Sequence, residues 1–471
     1  MNPSDLTRRD LLRLTVAAGA ASSLGLGLSA AEETPKPAPA AAPAPPASGY
    51  LDAAVKANRW IRTARIETPD GYMWLAGPER PDGLDAAAHI YSGGAGIVLF
   101  LLELARATGD KAYREEAGFG ADVLIASLPE KLNLEDAQGA LYSGVAGLGF
   151  TLERVHQETG DAKYRKAAVR CRDLVRAAAQ PAGKGIDWGK YTDIIAGTSG
   201  TGLYLLNTAR TMDDTASRDL AVKAGLRLIE LGIPENGGLK WRMDPDFARL
   251  MPNFSHGTAG IAYYLATLHR ETGRQEFLDA AVAGGRYLQS IADATGETCL
   301  IFHDEPDNKK LYYLGWCHGP VGTSRLWIRL DQIDPKAGWL AWAKKGANAI
   351  LASGIPEHQT PGFWNNFGQC CGSAGVAAFF LDLGKLTGDA TYTSFAHRIA
   401  RNLLDRATPA AGGGLKWIHA EHRIKPDYTY AQTGYMQGAA GIGALFLQMD
   451  ALDKGQPWTL RLPDSPFGEK A

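Results

Sequence analysis

The sequence predicts an all-α protein, an (α/α) toroid in which seven inner helices are ringed by seven outer ones. Three observations predict it. A G-x-x-G step followed by an apolar run recurs seven times, amphipathic stretches alternate with those runs, and each interval has room for one helix pair.

The first glycines of the seven copies are Gly93, Gly144, Gly197, Gly257, Gly319, Gly372 and Gly438, at successive intervals of 51, 53, 60, 62, 53 and 66 residues. Such an interval fits two helices of about four turns each plus their connections. Each step opens a run such as SGGAGIVLFLLELA or HGTAGIAYYLATLH, apolar on nearly every face, so its helix belongs inside. Between them lie LDAAVKANRWIRTAR, KYRKAAVRCRDLVRAA and EFLDAAVAGGRYLQSIADA, each with one wet face, as an outer layer requires. Several inner runs stop at T-G-D or T-G, where glycine suits the left-handed residue that ends a helix. Strand patterning is weak and confined to GGLKWRM and GGLKWIH. Closed into a ring, the small residues let the helix starts crowd at one end. Their amides and dipoles then face a central bowl that favours anions and thiolates. An open solenoid of helix pairs is the other arrangement such repeats allow.

Ahead of the repeats, residues 1–31 read as a twin-arginine signal peptide: Thr7-Arg8-Arg9-Asp10-Leu11-Leu12, an apolar stretch over 14–28, then Ser29-Ala30-Ala31. Export to the periplasm or beyond is the expectation, by a route that carries folded proteins and so suits a metal site assembled first. Residues 32–49 form a Pro/Ala-rich linker, stiff and extended rather than packed. Residues 50–471 are expected to form one toroid. No later stretch offers the apolar length of a membrane-spanning helix, so no span is expected once the signal is removed. A net charge of −2 without any Lys/Arg block argues against nucleic acid as a partner.

Five cysteines in an exported chain are too few and too uneven for a disulfide framework. Cys171 and Cys299 read as core thiols. The other three fall on the repeat step, where four copies carry unusual chemistry: Asp193-Ile194-Ile195-Ala196-Gly197, Ser255-His256-Gly257, Trp316-Cys317-His318-Gly319 and Cys370-Cys371-Gly372. If the copies superpose, these side chains share one bowl. Cys317, Cys370 and Cys371 then supply three ligands to one tetrahedral metal, and thiolates suit zinc, Zn2+, which leaves a fourth position open. The other readings of these residues are a Cys370–Cys371 vicinal disulfide and three buried thiols. Three thiolates on a divalent ion leave a net −1, which disfavours water activation but lets a fourth thiol bind and stay nucleophilic. Thiol alkylation or conjugate addition fits better than hydrolysis. Such a reaction needs a proton donor to carbon. His256 is the candidate, with Asp193 either orienting it or serving only as a helix cap. His318 reads equally as a second acid–base group or a substitute ligand.

At these residues the sequence resembles the lanthionine synthetase C-like (LanC-like) family, over about residues 50–450. The markers are D-I-I-x-G-x-x-G at Asp193, S-H-G-x-A-G at His256, G-W-C-H-G at Cys317 and C-C-G at Cys370-Cys371. The resemblance implies an α/α toroid with zinc on Cys317, Cys370 and Cys371, a proton-transferring His256 and its companion Asp193. It implies addition of a peptide Cys thiol, or of a small thiol such as glutathione, to a dehydroamino acid, giving a thioether. Many members have Cys-His-Gly where this chain has Cys370-Cys371-Gly372, and peptide cyclases often carry Arg where this chain has Tyr313. Two other functions stand beside this one. A carbohydrate-active toroid could stack sugars on Trp241, Trp316 and Trp364, though only Asp193 offers a carboxylate on the repeat step and inverting hydrolysis needs two. A non-catalytic exported binding protein with a structural zinc is the other.

Overall fold

The computed structural model describes residues 49–80 and 86–467. The expected signal peptide and all but Gly49 of the linker lie outside the described residues.

Fourteen α-helices are found among the described residues. The outer ones are α1 (Tyr50–Thr63), α3 (Lys111–Ala126), α5 (Ala162–Ala177), α7 (Thr215–Leu231), α9 (Gln275–Ile291), α11 (Trp339–Ala352) and α13 (Ala390–Asp405). The inner ones are α2 (Gly94–Thr108), α4 (Val145–Thr159), α6 (Thr198–Thr211), α8 (Thr258–Thr272), α10 (Pro320–Ile333), α12 (Ser373–Thr387) and α14 (Ala439–Asp453). Each inner helix touches both inner neighbours, and α14 packs on α1 and α2, so the arrangement is a closed ring and not a solenoid. Burial follows from the sequence pattern. All of the first twelve residues of α14 are buried, whereas α5 buries only Tyr164, Ala167, Ala168, Cys171 and Val175 on one face. Four inner helices end at Gly109, Gly160, Gly273 and Gly388, each with φ between 70° and 73°, a conformation that glycine adopts without strain.

Closure is written into the backbone. The residue two before the first glycine of each copy hydrogen-bonds to the equivalent residue of the next. Tyr91 N–H donates to Tyr142 C=O, Tyr142 to Ile195, Ser255 to Cys317, Cys317 to Cys370, Cys370 to Met436, and Met436 back to Tyr91. Between the third and fourth copies the donor is Ile194, to Ser255. These seven bonds of 2.8–3.2 Å form an unbroken girdle around the toroid axis.

The glycines are explained by what lies against them. The second glycine of each step abuts the carbonyl six residues earlier, as Gly147 does with Leu141 and Gly441 with Tyr435, and a Cβ would overlap that oxygen. In six of the inner helices, first-turn amides donate to loop carbonyls seven residues back at 2.7–3.3 Å, as Val145 does to Gln138 and Ala439 to Gln432. The remaining one, α10, begins with Pro320, which has no amide to satisfy. These amides are therefore spent within the fold, which corrects the expectation that they face the bowl as free anion donors.

Among the described residues, six two-stranded antiparallel hairpins join outer helices to the next loop or decorate the rim. The two segments with strand patterning do not pair with one another. GGLKWRM holds the second strand of hairpin Ile233–Glu235/Gly238–Lys240, and GGLKWIH that of Thr408–Ala410/Gly414–Lys416. The tryptophan after each is buried and staples the hairpin to an outer helix. Trp241 Nε1 donates to Leu228 C=O at 2.6 Å, and Trp417 Nε1 to Leu403 C=O at 2.8 Å.

The lumen is filled by the segment after α14. Thr459 donates to Glu103 at 2.9 Å, Arg461 forms a two-pronged pair with Asp382 at 2.6 and 2.8 Å, and Pro466 C=O accepts from Gln332 at 2.8 Å. At the tip of this plug, fully buried Asp464 accepts from Arg325 at 2.7 Å, Tyr142 at 3.0 Å and Trp316 Nε1 at 3.3 Å. Asp464→Ala would leave Arg325 without its counter-charge in the ring's interior, a loss of about 3–5 kcal/mol for a buried pair. Because the Arg325 side chain keeps 20% exposure, the lower end of that range is expected, read as a lowered denaturation midpoint.

Candidate metal centre

Two adjacent loops, before α10 and α12, carry the three cysteines. The girdle sets their register: the Trp316 and Cys317 amides both donate to Cys370 C=O, at 2.8 and 3.2 Å. Gly315 makes the crossing possible, since a Cβ there would sit 2.8 Å from both the Cys370 oxygen and Cys371 Cα. As a result, Cys317 Sγ lies 3.2 Å from Cys371 Sγ, which lies 3.4 Å from Cys370 Sγ, and all three sulfurs fall within 4.8 Å of one another. Every cysteine is a free thiol, so the vicinal disulfide is not formed. Four-coordinate zinc with Zn–S bonds of about 2.3 Å separates its sulfurs by about 3.8 Å, so this cluster fits a tetrahedral ion with small side-chain movement. The cluster could hold a metal. Among the described residues no other group of His, Cys, Asp and Glu does so.

Burial pushes the Cys317 thiol up, and hydrogen bonding to its two sulfur neighbours together with burial raises Cys371 as well. Cys370 goes the other way. Burial opposes its ionisation, but hydrogen bonds from Cys317, Cys371 and the Tyr91 hydroxyl hold it well below the usual thiol range. Tyr91 is itself placed by Gln437, whose amide donates to the hydroxyl at 3.1 Å. Cys171 and Cys299 are buried core thiols, the latter pushed up to about 11 by burial.

Beside the sulfurs stands His256. Its Nδ1–H donates to Asp193 Oδ2 at 2.5 Å, leaving Nε2 for the bowl. Asp193 is fully buried and its other oxygen accepts from the Ala196 amide at 2.9 Å, so it both braces its own loop and orients the histidine. His318 does not join the sulfur cluster. Its ring sits 5.6 Å from His256 and 4.1 Å from His303, with Nδ1 buried and without a partner. Burial, then the two neighbouring imidazoles, lowers its pKa well below the usual histidine range.

The bowl above these groups encloses about 1500 Å³ including its mouth. Asp193, His256, His318, Cys317, Cys370 and Cys371 all line it, so the structure brings the sequence-predicted metal and proton-transfer candidates to one cavity. Of the three tryptophans considered for sugar stacking, only Trp364 lines the bowl, and Trp241 and Trp316 are buried in the fold. Sequence reading missed Tyr91, Gln437, His303 with its partner Asp304, and Arg423. The first two were recoverable: they occupy the same two positions before the glycine that hold Cys317-His318, but in the first and seventh copies. His303 and Arg423 come from irregular loops with no periodic marker. Arg423 lies beside Tyr313, so a guanidinium reaches the bowl next to that position.

Residues 86–460 match the family model described as lanthionine synthetase C-like protein. The chain belongs to the LanC-like family. Among solved structures, nisin cyclase superposes with a TM-score of 0.55 and 18% identity, covering 78% of this LanC-like chain and 89% of that one. Looser likenesses include an α-1,6-mannanase of Salegentibacter sp. HEL1_6 (TM-score 0.48, 13% identity, 86% and 98% covered). An unsaturated glucuronyl hydrolase specific for heparin is similar at TM-score 0.45 and 13% identity, again with 86% and 98% covered. The nisin cyclase likeness shows the helical ring.

The crossing of the two cysteine loops yields a direct test. Gly315→Val drives a branched side chain into the Cys370–Cys371 backbone, an overpacking cost of about 1–3 kcal/mol. The expected result is a folded LanC-like protein with well under one zinc per chain by elemental analysis after zinc supplementation.

Proposed function

We propose that this LanC-like protein binds one zinc ion through Cys317, Cys370 and Cys371 and adds a thiol to a dehydroamino acid of a peptide or protein, forming a thioether. The observation that carries the reading is the convergence of three sulfurs and a carboxylate-held histidine in one bowl. Bound there, zinc would take the substrate thiol as its fourth ligand, lower its pKa and leave the sulfur nucleophilic.

The residues of the chain do the rest. Asp193 fixes His256 with the proton on Nδ1 and stabilises the imidazolium when Nε2 is also protonated. In the addition, sulfur bonds to the β-carbon of the dehydroamino acid and the π pair moves to the α-carbon. The α-carbon then takes a proton from His256 Nε2. Tyr91 donates to the Cys370 sulfur and holds its charge, with Gln437 fixing the hydroxyl. Trp364, Tyr313 and Arg423 line the approach, offering aromatic faces and one cation to the substrate backbone. Export by the twin-arginine route is part of this reading and places the chemistry outside the cytoplasm. Detection of the chain in a periplasmic or culture fraction, lost on Arg8→Lys/Arg9→Lys, tests that part.

Two substitutions separate catalysis from a purely structural zinc. Cys371→Ala is expected to lose both metal and thiol addition. His256→Ala is expected to keep one zinc per chain while kcat for adding glutathione to a dehydroalanine peptide falls about 10²- to 10⁴-fold. Zinc-replete His256→Ala working at the wild-type rate would leave the histidine without a role.

A further inference from the structure

A second histidine–aspartate pair faces the same bowl. His303 Nδ1–H donates to Asp304 Oδ2 at 2.6 Å, and Asn308 donates to the same oxygen at 2.8 Å. Asp304 is 1% exposed, and its other oxygen is buried without a partner, so the carboxylate's charge is left for the imidazole to answer. The loop is pinned around this pair. The His303 amide donates to Leu311 C=O at 2.7 Å, the Asn308 amide to Asp304 C=O at 3.2 Å, and the Glu305 and Leu250 backbones exchange bonds at 3.0 Å. The His303 ring rests against Tyr313 at 4.4 Å and His318 at 4.1 Å, and the residue lines the bowl. With Nδ1 committed to Asp304, the opposite edge of the ring carries Nε2 towards the cavity, as in His256. Both imidazoles thus neighbour His318, His303 at 4.1 Å and His256 at 5.6 Å.

Thiol addition needs two proton transfers at two different atoms. One proton leaves sulfur and one arrives at carbon, and a single imidazole cannot occupy both places. We propose that His303, oriented by Asp304, is the base that takes the thiol proton, opposite His256 as the acid that protonates carbon. This rests on the function proposed above. The S–H bond breaks with its proton passing to His303 Nε2, the S–Cβ bond forms, and the C=C π pair becomes the carbanion pair at Cα. The Cα–H bond forms with the proton from His256 Nε2. Solvent in the open bowl then removes one proton from His303 and returns one to His256, so the net reaction is addition of RSH. Burial lowers the His303 pKa against the pull of Asp304, which keeps the ring neutral and able to accept a proton. In this scheme Asp304 is a positioning residue.

The test compares two thiols on one dehydroalanine peptide, an alkyl thiol and an aryl thiol already ionised at the assay pH. With the alkyl thiol, zinc-loaded His303→Ala is expected to lose about 100-fold in kcat. With the aryl thiol the loss should shrink below tenfold, because no proton needs removing, and zinc content should equal that of the wild type. Asp304→Asn, which keeps the hydrogen-bonding shape, should show the same thiol dependence with a smaller loss, and it serves if His303→Ala does not fold. His256→Ala should lose equally with both thiols. Equal losses for both thiols in the His303 and Asp304 variants would reduce the pair to a loop brace and overturn the proposal. Wild-type rates in both variants would overturn it as well. A zinc-loaded wild type that adds neither thiol defeats the proposed function itself, a result distinct from an active wild type with indifferent variants.

Discussion

The girdle of seven backbone hydrogen bonds is the constraint on which the rest of this structure depends. It joins the residue two before the first glycine of each copy to its counterpart in the next, except where Ile194 stands in by one position. A cyclic arrangement leaves no edge, so no donor or acceptor in it is left facing an end. It also fixes which side chains meet. Positions one and two before the glycine in neighbouring copies are brought side by side, and in the fifth and sixth copies those positions are Cys317, His318, Cys370 and Cys371. The sulfur cluster is a consequence of register, not of a dedicated loop. The glycines serve the same end, since their missing Cβ atoms let each helix start settle against the carbonyls of its own entering loop.

The same register explains the electrostatics. Three thiols held between 3 and 5 Å apart under cover from water cannot all ionise by themselves, because each charge raises the cost of the next. The neighbouring groups favour one thiolate: Cys370 receives bonds from two thiols and the Tyr91 hydroxyl, while Cys317 and Cys371 are held up. A divalent cation at the centre would change this, releasing the remaining protons and turning mutual repulsion into shared attraction.

What was legible in the sequence was whatever repeats. The G-x-x-G interval gave the number and order of the helices, and closure into a ring followed from chemistry clustering in consecutive copies. His256, Asp193 and the three cysteines were found because they interrupt a repeated step with residue types that carry chemistry. Tyr91 and Gln437 occupy the same step but look ordinary there, and only the folded ring shows that one lies beside the Cys370 sulfur. His303, Asp304 and Arg423 lie on connections that differ from copy to copy, where no period exists to read. The first-turn amides were expected to serve the bowl. They are satisfied instead by carbonyls seven residues upstream, a local pairing that helix-dipole reasoning does not anticipate.

Trp316 shows how stability and chemistry are joined in this ring. Its amide donates to Cys370 C=O, the bond that brings the two cysteine loops together, and its side chain lies on the other side of that loop. There the ring packs edge-on against Phe254 at 5.8 Å and tilted against Tyr142 at 5.1 Å, and its indole N–H reaches Asp464 at the tip of the C-terminal plug. Trp316 thus links the loop that carries Cys317 to the Asp464–Arg325 pair. A lumen filled only by apolar side chains would pack, but it would not fix the rotation of that indole. The carboxylate gives it a single hydrogen-bonded orientation, and Cys317 is the next residue along the chain. Rigidity of the cysteine loop therefore comes from a segment more than a hundred residues away in sequence, threaded through the centre of the ring.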